Sequence, residues 1–136
     1  MNKKLIFILA AIFLVSICVK ADETEKFASI EFNERSHDFG TIKDKDGPVS
    51  YEFEFKNTGN KPLVIVDVLA SCGCTRPEFP TKPIKPGKKG KIKVTYSPYG
   101  RPPGPFSKTV KVKSNAKESR VILLIQGTTV VDKSKN

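Results

Sequence analysis

Between residues 48 and 57 the chain reads PVSYEFEFKN, and every second residue is apolar. In an extended strand Val49, Tyr51, Phe53 and Phe55 fall on one face, while Ser50, Glu52, Glu54 and Lys56 fall on the other. A helix would scatter the same residues around its circumference. The period-two pattern recurs along the chain. GKIKVTYS (90–97) alternates Ile92, Val94 and Tyr96 with Lys91, Lys93 and Thr95, and KTVKVKS (108–114) alternates Val110 and Val112 with Lys111 and Lys113. FASIEF (27–32), HDFGTI (37–42), PLVIVDVLA (62–70) and RVILLIQGTTV (120–130) complete the set, HDFGTI being a short strand or a bulge. About seven short strands, with turn signals at ~8–12 residue spacing, predict an all-β, immunoglobulin-like β-sandwich.

This reading makes definite claims. Phe53, Phe55, Val94 and Val110 should be buried, with Tyr51 and Tyr96 on the same inner faces. PLVIVDVLA is apolar on both faces apart from Asp67, which predicts a central strand. The proline-rich crossing from Pro77 to Pro86 cannot be a central strand. The sequence contains no Trp, and its cysteines at 72 and 74 are too close to form the inter-sheet bridge of an antibody domain. No internal repeat and no second domain is evident.

The first residues carry an address. MNKK is basic and LIFILAAIFLVSICV is an apolar run short for a bilayer span, so residues 1–21 read as a secretory signal cleaved after Ala21. Lipidation at Cys18 is disfavoured because Ile17 stands where a small residue is needed. The expected organisation is a signal peptide (1–21), one sandwich domain (22–130) and a flexible tail (131–136), with no transmembrane segment after processing. Cleavage removes Lys3, Lys4 and Lys20, which lowers the net charge from +10 to +7.

The remaining charge is unevenly placed. Residues 22–78 carry 7 basic and 12 acidic side chains, whereas residues 79–136 carry 14 basic and 2 acidic. Such a bias marks either an anionic partner or lysines on solvent faces, where they keep strand edges from pairing with other chains. If the strands bearing Lys91, Lys93, Lys111 and Lys113 share a sheet, those lysines form a basic stripe. Secretion argues against nucleic acid as the partner.

One motif stands apart from the strand pattern. SCGCTRPEFP (71–80) places Cys72, Gly73 and Cys74 before Thr75 and a proline. A disulfide across so short a loop is possible if Gly73 adopts a turn, and closing it removes little entropy from the unfolded chain. Two thiolates could hold a soft ion such as Cu(I), making Cys72 and Cys74 weak metal candidates, but zinc needs four ligands. His37, the single histidine, reads as a surface or strand-end residue rather than a ligand. A thioredoxin-type redox site uses C-x-x-C at a helix start, which this stretch does not offer. No Ser/His/Asp set is arguable either, so an enzyme is weakly supported. The motif is a redox or partner-docking site at Cys72, Gly73, Cys74 and Thr75, or else a packed corner in which cysteine serves as a small hydrophobe.

The order of motifs also carries a resemblance. HDFGTI, FEFKNTGNKPLVI, SCGCTRPEFP, IKPGKKGKIKVTYSP and FSKTVKVKSN resemble the secreted bacterial family catalogued as domain of unknown function 1573. The family's Cys-Gly-Cys falls on Cys72, Gly73 and Cys74, its I-x-P-G corner on Ile84, Pro86 and Gly87, and its N-x-G turn on Asn57 and Gly59. PPGP at 102–105 is more proline-rich than the family loop. The resemblance implies a sandwich similar to the Hydin-like and major-sperm-protein-like Ig folds, a periplasmic or cell-surface setting, and no known reaction. The expected function is a binding or scaffolding module for a protein or an anionic envelope partner, without a cofactor. Loops 71–80 and 98–106, the latter with Tyr99 and Arg101, are the candidate contacts. The alternative is a periplasmic thiol-redox or Cu(I)-handling protein acting through Cys72 and Cys74.

Overall fold

The alternating segments pair into two four-stranded sheets, as seen in a computed structural model that describes residues 24–133. The signal-peptide reading, Ala21 and Cys18, and the last three residues of the expected tail lie outside the described residues. In chain order the strands are β1 (Ile30–Phe32), β2 (Ser36–Lys43), β3 (Val49–Asn57), β4 (Ile65–Ala70), β5 (Thr75–Glu78), β6 (Lys89–Tyr96), β7 (Gly104–Ser114) and β8 (Arg120–Val130). The first sheet runs β1-β3-β6-β5 and the second β2-β8-β7-β4. All pairings are antiparallel except β2 with β8, which is parallel. The only helical element among the described residues is the short 3-10 turn Asp44–Asp46.

The core lies between the sheets and is built from the alternation. Phe53 and Phe55 from β3, Ile92, Val94 and Tyr96 from β6, Val110 and Val112 from β7, and Val121, Leu123 and Ile125 from β8 are all buried. Each such side chain contributes about 1.5–3 kcal/mol by leaving water. Tyr96 stacks on Phe106 across the sheets, ring centroids 3.9 Å apart. Tyr51 shares the inner face but is only half-buried.

Two expectations are corrected. β4, expected at the centre of a sheet, is an edge strand. Its apolar character on both faces does not reflect burial, since Val66 and Leu69 point outward and are 65% and 45% exposed. The lysines form no common stripe, because β6 belongs to the first sheet and β7 to the second. The uneven charge of the sequence is instead balanced across strands. Lys89 pairs with Glu54 at 3.4 Å, Lys91 with Glu52 at 3.2 Å and Lys93 with Glu78 at 3.8 Å, so basic β6 lies between acidic neighbours.

The chain changes sheet five times among the described residues, and two of these crossings lie at the flanks, where they join edge strands. On one flank it passes from β1 to β2 through residues 33–35, and on the other from β4 to β5 through residues 71–74. HDFGTI forms β2 with a bulge between Asp38 and Thr41. Pro77 sits in the edge strand β5, where a missing donor is tolerated.

Candidate functional site

The Cys-Gly-Cys motif is the second of these flank crossings. After β4, Ser71 exchanges hydrogen bonds with Thr109 of β7: the Ser71 N–H donates to the Thr109 carbonyl at 3.0 Å, and the Thr109 N–H donates to Ser71 Oγ at 3.1 Å. The chain then turns, with the Thr75 N–H donating to the Cys72 carbonyl at 3.1 Å. It joins the other sheet as Ser97 N–H donates to the Cys74 carbonyl at 2.9 Å. Cys72 and Cys74 are joined by a disulfide within this turn, with Cα atoms 5.2 Å apart. The Cys74 N–H donates to Cys72 Sγ at 3.2 Å, and Cys74 Sγ lies 3.7 Å from the Thr75 hydroxyl.

The two sulfur-bearing residues are not equivalent. Cys74 is 7% exposed and belongs to the core cluster, whereas Cys72 is half-buried at its margin. Gly73 between them is exposed. The sequence offers a turn at Gly73 as the way to bring the two cysteines together. Gly73 does lie in the turn, but its φ is not left-handed, and a Cβ built there meets nothing within 4 Å. Neither backbone conformation nor packing demands glycine at this position.

The remaining sequence candidates scatter. Tyr99 is 62% exposed and Arg101 is exposed, both in the loop between β6 and β7. Arg101, Pro102 and Pro103 border a cleft of about 350 Å³ with Phe106 and Lys108. His37 does not join the cysteines. It is half-buried in β2, stacked on Tyr51 with ring centroids 3.7 Å apart, and Phe39 meets it edge-on at 4.7 Å. Among the described residues no group of three or more His, Cys, Asp or Glu side chains converges.

That aromatic cluster marks a site the sequence did not reveal. β1 covers only Asn57 to Phe55 of β3, and Asn33 N–H donates to the Glu54 carbonyl at 3.1 Å before the chain leaves for the other sheet. Backbone groups alternate sides along an antiparallel strand, so Ser50 and Glu52 point their N–H and C=O groups the same way as Glu54. No strand among the described residues pairs with them on that side, since β2 pairs only with β8. Tyr51 donates its hydroxyl proton to Glu34 at 2.6 Å, and this bond, with partial burial and the carboxylate's charge, raises the phenol above the usual tyrosine range. The signal for this site was the shortness of the apolar run before residue 33, which is readable only once β1 and β2 are known to belong to different sheets.

The edges of β4, β2 and β5 each carry a blunting feature. On β4 the outward N–H of Val68 is taken by the Asp67 carboxylate at 2.9 Å. On β2 the Gly40 N–H is taken by Asp38 at 2.7 Å, within the bulge. On β5 the outward-facing residues are Thr75, whose N–H is bonded to Cys72, and Pro77, which has none. Edges are commonly protected in these ways against pairing with other chains. The β3 stretch from Val49 to Phe53 lacks such protection.

A family model described as protein of unknown function (DUF1573) matches residues 30–129. The chain belongs to this family. No match was found among curated proteins. Among solved structures, a protein of unknown function from Porphyromonas gingivalis W83 aligns with a TM-score of 0.66 and 15% identity. The alignment covers 76% of this chain and 47% of that one, so this chain spans about half the length of the Porphyromonas protein. The ASH / PapD-like domain 7 of human CEP192 aligns with a TM-score of 0.63 and 15% identity, over 88% of this chain and 97% of that domain. The periplasmic chaperone SfaE aligns with a TM-score of 0.52 and 10% identity, over 76% of this chain and 58% of that one. At these identities the likeness is one of fold. The DUF1573 domain described here is an Ig-like β-sandwich.

Proposed function

We propose that this protein is a secreted binding module that holds an extended segment of a partner protein by adding it as a strand to the first sheet, along β3 from Val49 to Phe53. The observation that carries the reading is the β3 stretch left without a strand partner beyond β1, while the edges of β4, β2 and β5 are blunted by Asp67, Asp38 and Pro77. Strand addition draws its affinity from main-chain hydrogen bonds and its specificity from alternate side chains. Inward residues of the guest would meet the half-buried rings of His37, Phe39 and Tyr51, which favours apolar side chains there. Outward residues would lie beside Ser50 and Glu52, near Glu34, which favours Lys or Arg. The partner chemistry is therefore an extended peptide alternating apolar and basic residues. The chaperone-type fold shared with SfaE and the signal-like first residues support a protein partner and a periplasmic or cell-surface setting.

A peptide alternating Val and Lys is the probe. Amide exchange at Ser50 and Glu52 should slow on binding, and Glu52→Pro should abolish binding while the fold persists, because that N–H faces away from β6. Unchanged exchange at both amides, or equal binding to the proline variant, would overturn the reading.

A further inference from the structure

We infer that Cys72–Cys74 is a thiol–disulfide exchange site for a thiol-bearing partner, in which Cys72 is the sulfur that meets the outside thiol and Cys74 is the resolving sulfur. The inference is independent of strand addition and rests on the asymmetry of the corner. Cys72 is half-buried at the margin, and beside it Gly73 leaves open space where a side chain would stand. Since nothing in the fold requires glycine there, the gap serves as an approach to the sulfurs. Cys74 is enclosed at 7% exposure.

The chemistry around each sulfur matches its role. A thiolate attacks Cys72 Sγ; a new sulfur–sulfur bond forms to Cys72 as the Cys72–Cys74 bond breaks. The electron pair of the broken bond leaves on Cys74 Sγ, beside the Thr75 hydroxyl at 3.7 Å, and is then protonated by solvent. A second thiol attacking the mixed disulfide releases the partner's disulfide and leaves both cysteines reduced, so two thiols are oxidised and one protein disulfide is reduced. In the reverse direction the reduced Cys72 is the nucleophile. The Cys74 N–H, already directed at Cys72 Sγ at 3.2 Å, favours its thiolate, the reactive form. So small a ring closes with little help from chain entropy, which leaves the bond accessible to exchange.

The test uses the full mature chain with glutathione as probe. Reduced Cys74→Ser protein should take up glutathione from its oxidised form at Cys72 in the native state, roughly tenfold or more faster than Cys72→Ser protein does at Cys74, read by intact mass. Gly73→Val should slow reduction of the native disulfide by reduced glutathione about tenfold with an unchanged melting temperature, since a Cβ at this position meets nothing within 4 Å. Equal or faster capture at Cys74, inertness of both cysteines until the chain is unfolded, or wild-type reduction kinetics in the valine variant would each overturn the inference. If Gly73→Val lowers the melting temperature, Gly73→Ala provides the same comparison with a smaller group.

Discussion

Two corners of this sandwich carry family motifs, and they use their residues in opposite ways. At the corner after β3, Asn57 is fully buried and spends its whole side chain on the backbone. Its amide donates to the Lys61 carbonyl at 2.8 Å and the Ile84 carbonyl at 2.9 Å, and its oxygen accepts from Gly59 N–H at 3.0 Å and Ser29 N–H at 3.4 Å. Its own backbone accepts from Gly87 N–H at 2.8 Å and donates to the Lys88 carbonyl at 2.9 Å. A Cβ at Gly59 would come within 2.3 Å of the Phe27 carbonyl oxygen. The N-x-G and I-x-P-G motifs are thus one structural joint, complete in itself. At the corner after β4, Gly73 has neither a conformational nor a packing reason to be glycine, and the disulfide spans a turn that backbone bonds from Thr75 and Ser97 already hold. A motif consumed by its fold explains a fold; a motif with chemistry left over points beyond it.

The sharpest way to break this contrast is Asn57→Ala. It leaves the Lys61 carbonyl and the Gly59 and Ser29 N–H groups without these partners, while the Ile84 carbonyl keeps the Leu63 N–H, and each part-buried group left without a partner or water costs about 1–3 kcal/mol. A total loss of roughly 3–5 kcal/mol is expected, close to the whole stability of a marginal domain. Denaturant unfolding with an unchanged midpoint would show that the joint is not the structural centre claimed for it.

Replacing both Cys72 and Cys74 by Ser should cost less, about 2 kcal/mol at most, because the loop closed is so short. Part of that loss comes from the hydroxyl replacing buried Cys74. A loss equal to that of Asn57→Ala would place the disulfide corner in the same structural class as the Asn57 joint, and the distinction drawn between the two would fail.

The edges sharpen the same comparison. Asp67→Ala frees the outward N–H of Val68 beside the exposed Val66 and Leu69. Stability should move by about 1 kcal/mol or less, but the protein should begin to self-associate with rising concentration, as exposed apolar edges do. Light scattering or sedimentation that finds a monomer at all concentrations would mean that Asp67 does not guard β4.

These contrasts show which parts of the molecule local pattern can reveal. The inner faces of β3, β6 and β7 were legible because alternation of Phe53, Phe55, Ile92, Val94, Val110 and Val112 reports burial on one face directly. β4 was misplaced because Val66 and Leu69 are apolar for reasons other than burial, and an apolar run does not say which of its faces is covered. The lysine stripe failed for a related reason: the connection between β6 and β7, residues 97–103, reads as a loop in residue type but does not say that the chain changes sheet there. The Cys-Gly-Cys motif was visible at once, yet the inequality of its two sulfurs depends on burial. The open stretch of β3 was invisible, since it is defined by a neighbour that departs.

The smallest effect concerns that departure. At the β1–β2 crossing Arg35 and Glu118 form a two-point pair, with both N–H···O distances 2.9 Å. The hydrogen bond from Arg35, aided by its charge and opposed by slight desolvation, holds the Glu118 carboxyl below the usual glutamate range. A carboxyl with a depressed folded-state pKa stabilises the fold above its unfolded-state pKa, and the contribution vanishes as the pH falls through the folded value. Both side chains are about half exposed, 48% and 51%, so solvent screening keeps the contribution below about 1 kcal/mol. Glu118→Gln should therefore melt slightly below the parent at neutral pH and together with it in acid, and added salt should shrink the neutral-pH gap. If the gap instead persists in acid, the difference arises from the packing of residue 118 and not from its charge. The crossing beside the open edge would then be held by shape, as the Asn57 joint is held by its hydrogen bonds, and not by an ion pair that pH can loosen.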